Sequence, residues 1–201
     1  MPKLYSTFLL LTVGTLFMNA QSISFGLTGG LPVSSLAAAS NESLPFTVGP
    51  SIEFRLRGRF ALEVDGLYER VGSNETFVQI AGDASSSGTV RWRGNVWEFP
   101  VIAKYYFHAH KSWQPFAGSG LGARWLTRQE DVSQLSSLPL STLLMAHYSG
   151  WRVTGGLVAE AGIHLRSGRI QWTPEFRYAR WGANGPLSRP NEASLLLGVH
   201  F

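Results

Sequence analysis

Cysteine is absent from the 201 residues, which excludes a disulfide scaffold, a cysteine-ligated zinc or iron–sulfur site and a cysteine nucleophile. Charge is scarce. Asp, Glu, Lys and Arg make up 15% of the chain, against about 25% in ordinary soluble domains. A mean hydropathy of +0.02 argues against a polytopic helical membrane protein, which needs repeated apolar runs of about 20 residues. Helical spacing of apolar residues is equally hard to find beyond the first twenty positions. Aromatics are plentiful at 12%, with seven Trp, and that content does not fit intrinsic disorder. The length suits one compact domain.

The chain opens with a positive Met1-Pro2-Lys3, an uncharged run from Phe8 to Met18, and Ala20 ahead of polar Gln21-Ser22. That order predicts a secretory signal peptide over 1–20 and a mature domain over 21–201, with a buried helix as the alternative for the apolar run. Removing Lys3 takes the formal charge from +4 to +3. Charge so evenly spread on an exported chain gives no reason to expect nucleic acid as a partner.

Period-two alternation then recurs in segment after segment. Phe46, Val48, Ile52, Phe54 and Leu56 alternate with Thr47, Ser51, Glu53, Arg55 and Arg57. Phe60, Leu62, Val64 and Tyr68 oppose Glu63, Asp65 and Glu69. Ile170, Trp172, Phe176 and Tyr178 oppose Gln171, Glu175 and Arg177, and Leu195, Leu197, Val199 and Phe201 oppose Glu192, Ser194 and His200. Each is a strand with one apolar and one charged face. Two short turns test that facing. Arg57-Gly58-Arg59 is a three-residue loop that pairs Leu56 with Phe60. Ser167-Gly168 is expected to form a two-residue loop that pairs Leu165 with Ile170. Both turns keep apolar rows together, where a one-residue slip would separate them.

Further strands are expected over 22–31, 90–107, 114–126 and 151–166. In 90–107 the apolar parity changes from Val90, Trp92 and Val96 to Trp97, Phe99, Val101, Tyr105 and Phe107, which predicts a bulge near Asn95–Trp97. The 114–126 segment is too rich in glycine for its facing to be assigned. The total is eight strands. Short connections alternate with long polar ones at 32–45, 71–89, 127–150 and 182–191, as in an eight-stranded antiparallel up-and-down transmembrane β-barrel with both termini on the short-turn rim.

Alternation alone does not separate this from a soluble barrel of lipocalin type, which is apolar inside. Aromatic placement favours the membrane. Phe54, Phe60, Tyr105, Phe107 and Trp172 fall near the short turns, and Tyr68, Trp92, Trp151 and Tyr178 near the long connections. Two such girdles match the two bilayer interfaces. The opposite rows supply an interior charge network of Glu53, Arg55, Glu63, Asp65, Glu98, Lys104, Glu160, Glu175 and Arg177, with Glu69, Arg166 and Glu192 on the same rows. Mixed charges of this kind cross-pair without a metal or cofactor.

At these residues the chain resembles the small outer-membrane β-barrel family that includes OmpA- and OmpX-type barrels. The likeness rests on the last strand, Ala193 to Phe201, on Trp97 to Phe107 followed by Gln114 to Gly120, and on Pro174 to Tyr178. It covers essentially all of 22–201. The resemblance implies the outer membrane of a Gram-negative cell, with outer-membrane lipids as surroundings. It also implies that Leu195, Leu197, Val199 and Phe201 form the signal read by the barrel-assembly machinery. The expected role is structural or adhesive, with a possible surface partner at the long loops. Leu135, Leu138, Leu140, Leu143 and Leu144 make 127–150 the most apolar of these loops, and such a patch either marks interaction or folds back over the barrel mouth.

Competing site readings are weaker. His108-Ala109-His110 lacks a third ligand, so a solvated turn is preferred to a metal site. Asn41-Glu42-Ser43 and Asn74-Glu75-Thr76 match a glycosylation pattern that an outer membrane makes idle. Gly118-Ser119-Gly120-Leu121-Gly122 lacks the Lys of a phosphate loop and reads as small residues where barrel walls crowd. His147-Tyr148-Ser149 with Glu160 is similar to the H-x-S pair and later Glu of lipid A deacylases, by the logic of a base-activated nucleophile. No Asn follows Ser149 where those enzymes have one. No catalytic, cofactor or metal residue is therefore assigned. A narrow pore is the remaining alternative, disfavoured because side chains just fill an eight-stranded interior.

Overall fold

The computed structural model describes residues 22–33, 44–81, 84–107, 112–136, 143–182 and 190–201. The expected signal peptide and the His108–His110 turn lie outside them. Nine strands follow in order: β1 (Ser22–Pro32), β2 (Leu44–Arg55), β3 (Phe60–Asp65), β4 (Leu67–Ala81), β5 (Ala84–Tyr106), β6 (Trp113–Ser136), β7 (Leu143–Ser167), β8 (Ile170–Trp181) and β9 (Asn191–His200). Gly66 alone separates β3 from β4, and both pair with β5 in one register, from Val64↔Val101 to Leu67↔Glu98. They form a single stave. Pro50 and Pro100 flank this break and have no N–H to donate, so the ladder lapses there without a shift. The Gly66 N–H still donates to Pro50 O at 2.9 Å.

Eight staves result, each antiparallel to its neighbours, and β1 pairs with both β2 and β9. That last pairing closes the barrel and leaves no edge within the bilayer, the one β solution available in lipid. The facing is inside-out. Leu121 and Leu157 are 65% and 63% exposed, while Glu63 and Lys104 are 1% exposed. The apolar rows point outward on every stave, and the charged rows point into the barrel. An apolar interior of lipocalin type is thereby excluded.

The short turns obey glycine's freedom at positive φ. Gly58 has φ +85° in the 57–59 loop, where the Leu56 N–H donates to Phe60 O. At the β7–β8 turn the expected register is corrected by two residues. Gly168, at φ +64°, and Arg169 form the loop, Ser167 pairs with Ile170, and Leu165 pairs with Trp172. A two-residue turn with glycine first at positive φ sets this choice. The apolar rows still coincide, because a shift of two preserves facing.

Two further expectations are corrected. No bulge occurs at Asn95–Trp97, because the β5 ladder runs unbroken through Asn95↔Thr127, Val96↔Leu126 and Trp97↔Trp125. The parity change has another cause. Val96 is buried on the inner row, while Arg91 and Asn95 face out, so the outward face turns polar where it leaves the lipid. The segments 71–89 and 127–150 are also not loops over most of their length. β4 pairs with β5 as far as Ala81↔Ala84, and β6 with β7 as far as Leu135↔Leu143. Residues 82–83 and 137–142, with Leu138 and Leu140, lie outside the described residues.

The outward aromatics bracket the apolar band. Trp97 and Phe107 are ten residues apart on one stave, about 33 Å of strand, which is about 25 Å of height at a tilt near 40°. Val64 lies between Phe60 and Tyr68, close to mid-height. Val64→Arg or Leu197→Arg should therefore destabilise the refolded barrel by about 2–4 kcal/mol in urea titrations in lipid vesicles. A single Cys at Val64 should be quenched by a lipid-phase probe and one at Asp65 should not; the reverse pattern would contradict the facing.

Candidate functional site

The interior is built in layers by inward rows whose heights the registers set. The central layer holds Lys104 from β5, Glu63 and Asp65 from β3, Glu160 from β7, and Glu175 and Arg177 from β8. Lys104 Nζ contacts Glu63 and lies 3.1 Å from Glu160 and 3.6 Å from Glu175. Arg177 is 2.7 Å from Asp65, 2.8 Å from Glu175, 2.9 Å from Glu160 and 3.1 Å from Glu63. Four carboxylates share two cations. Glu160 and Arg177 face each other across one ladder, but β3 and β8 stand four staves apart on a ring of eight. Arg177 therefore ties opposite walls of the barrel together.

Towards the short turns, Glu53 accepts from Tyr106 Oη at 2.7 Å and from Arg55 Nε at 2.6 Å. The Arg55 guanidinium sits 4.1 Å from the Tyr106 ring centroid and reaches Gln114 at 3.2 Å. His200 Nε2 lies 3.1 Å from Ser51 Oγ, and His164 Nδ1 lies 3.3 Å from Thr173 Oγ1. Above the central layer is an apolar one of Ile102, Val158, Ala179 and Trp181. Arg124 closes the stack. It donates to Glu98 at 2.7 Å, contacts Glu192, and lies 4.7 Å from the Trp181 ring.

The glycine-rich strand makes room for these layers. Phe116, Gly118, Gly120, Gly122 and Arg124 occupy the inward row of β6, which settles the facing left open above. A Cβ on Gly122 would come within 2.9 Å of the Trp181 indole, and one on Gly156 within 2.4 Å. Small residues where walls crowd is the correct reading of this motif.

All nine residues of the expected charge network lie on inward rows, and Glu98 joins through Arg124. Sequence reasoning missed Arg124, Tyr106, Phe116 and Trp181. Of the expected girdle, Phe60 packs at a tilt against Tyr105 at 5.2 Å, and Tyr105 meets Phe107 edge-on at 5.4 Å. Tyr68 packs on Trp97 at 5.1 Å and donates to Asn95 at 2.8 Å. Phe54, Trp151, Trp172 and Tyr178 also lie on outward rows, and the Trp92 side chain lies outside the described ones. Leu195, Leu197, Val199 and Phe201 form one outward row, and the Phe201 N–H donates to Phe25 O at 2.9 Å.

The hydrolase-like residues are not brought together. His147 and Ser149 sit opposite Asp131 and Gln129, thirteen and eleven residues along β7 from Glu160. At about 3.3 Å per residue the wider gap is about 43 Å, and Glu160 is held by Lys104 and Arg177. The three carboxylates of Glu63, Glu160 and Glu175 lie within 4.8 Å of one another, as metal ligands would. The Lys104 ammonium already bridges all three.

A closed eight-stave barrel, apolar outside and charge-paired inside, defines an integral protein of the outer membrane. The chain belongs to the outer membrane protein beta-barrel domain family, whose model matches residues 19–182. No curated protein matches the sequence. Similar solved structures include the N-terminal β-barrel domain of OprF from Pseudomonas aeruginosa, 14% identical, covering 90% of this chain and 98% of that one, with a TM-score of 0.48. Neisserial surface protein A is 16% identical over 89% of this chain and 94% of its own, TM-score 0.48. Ail, the attachment invasion locus protein of Yersinia pestis, is 13% identical over 89% and 95%, TM-score 0.47.

Removing Lys104 leaves buried carboxylates facing one another. Lys104→Ala should destabilise the barrel by about 3–5 kcal/mol, read as a lower urea midpoint of the heat-modifiable folded band on gels. A midpoint unchanged from wild type would show that the central layer contributes nothing to the fold.

Proposed function

We propose that the protein is a structural, surface-interacting outer-membrane barrel whose adhesive element is the sheet formed by β4–β7 above the membrane. The observation that carries this reading is strand length. β5, β6 and β7 have 23, 24 and 25 residues, where a tilted crossing needs about 9–11. Beyond Trp125, β6 continues eleven residues to Ser136, about 35 Å of strand. Ladders this long hold their tip far from the lipid, and Leu135, Leu143 and Leu144 put apolar residues near that tip. Contact with a surface partner is a use for apolar residues at such a tip.

The stacked charge and apolar layers oppose the narrow-pore reading, since Ile102, Lys104 and Phe116 are fully buried in the cross-section. The outward row ending at Phe201 is the segment offered to the assembly machinery by strand pairing. The outer-membrane lipids surround the apolar band.

The test replaces 128–150 with a two-residue Asn-Gly turn and expresses both forms in a non-adherent laboratory strain. Adherence to immobilised extracellular matrix should fall to the background of the empty strain, with surface abundance and heat-modifiability unchanged. Equal adherence by both forms would overturn the adhesive reading.

A further inference from the structure

The short-turn rim bears charge of one sign. Arg57, Arg59, Arg166 and Arg169 are exposed there, and Arg55 is half-buried just inside. The described residues of this rim carry no acidic side chain; Glu53, one layer up, is buried and already held by Arg55 and Tyr106. A vestibule of about 840 Å³ opens on this rim. Arg55, Arg166 and Arg169 line it together with Ser112, Gln114 and Gln171. The Arg166 N–H donates to Ser112 O at 3.0 Å, which fixes the β7 end beside the β6 start. Neither Arg166 nor Arg169 has a carboxylate partner among the described residues.

The wall of the same vestibule adds a second feature. Ile23 on β1 and Phe201 at the end of the neighbouring stave β9 line it and are 46% and 69% exposed, on the outward rows that meet lipid. Guanidinium groups, hydroxyls and amides inside, with an apolar lip at the bilayer boundary, match a phosphate headgroup joined to acyl chains. Planar guanidinium forks favour phosphate oxygens. The net positive charge of the rim's side chains favours a headgroup without an ammonium.

We infer that this vestibule binds the phosphate of an anionic phospholipid of the inner leaflet, held by Arg166 and Arg169 with the acyl chains lying over Ile23 and Phe201. The site ties the periplasmic end of the barrel to one class of lipid. It is separate from the surface contact proposed above and does not depend on it.

The experiment uses the refolded protein in mixed detergent micelles and counts retained lipids by native mass spectrometry. Phosphatidylglycerol should be retained in preference to phosphatidylcholine. R166Q/R169Q should lower that preference by about tenfold or more, and R57Q/R59Q, the same charge change outside the vestibule, should leave it intact. Heat-modifiability on gels verifies that both variants are folded. An equal loss in both double variants would reduce the effect to general rim charge and overturn the site. Free glycerol 3-phosphate should not displace the lipid at equal concentration; displacement would assign the vestibule to a soluble phosphate ester and overturn the lipid assignment. No preference in the wild type would also overturn it.

Discussion

The bond on which the rest of the structure depends crosses the barrel. Arg177 reaches from β8 to Glu63 and Asp65 on the opposite wall, and also meets Glu160 and Glu175 beside it. Buried pairs of this kind are not worth much against a well-packed apolar core, yet breaking one is expensive. Their larger effect here is on register. Sliding any stave by one residue would send its charges into lipid, at about 2–4 kcal/mol for a cation near the midplane, and would leave the partners across the lumen unpaired. In the observed register each of these charges lies within 4 Å of an opposite one. Glycines at 118, 122 and 156 belong to the same arrangement, because the lumen side chains of Ile102 and Trp181 occupy the space their Cβ atoms would need, while Gly120 stands against the main chain of Val101 and Ile102.

A stave of this barrel passes through more than one environment, and the residue pattern changes with each. Within the bilayer the outside is apolar and the inside charged. Beyond Trp97 the outside meets water, so Asn95 and Arg91 face out and Val96 turns in, with no change in the ladder. Hydrogen bonding between main chains continues where the membrane pattern stops. The barrel is thus a membrane-crossing part and a polar sheet built from the same strands.

This explains what was legible in the sequence. Facing was legible wherever lipid imposed strict alternation, as at Phe60–Tyr68 or Leu195–Phe201. It was illegible in 114–126, where glycine has no side chain to report it, so Arg124 was missed as a lumen cation. The ladders over 71–81 and 143–150 resemble loops in the sequence because Ser, Asn and Gly interrupt the apolar alternation there. The parity change at Asn95–Trp97 was read as a bulge for the same reason: the surroundings changed while the backbone did not. Charge partners such as Arg177 and Glu63 were placeable on inward rows, but pairing them needs stave order and height, which closure alone supplies. His147, Ser149 and Glu160 share one strand, so their spacing in the sequence alone sets their separation.

The central claim is that opposite walls are coupled through Arg177 and Glu63. A double-mutant cycle of Arg177→Met and Glu63→Gln, with unfolding free energies measured in lipid vesicles, tests it most directly. Coupling of about 1 kcal/mol or more is expected for groups that share a buried network. Coupling indistinguishable from zero, with both single variants folded, would mean that the walls stand without the bond across them.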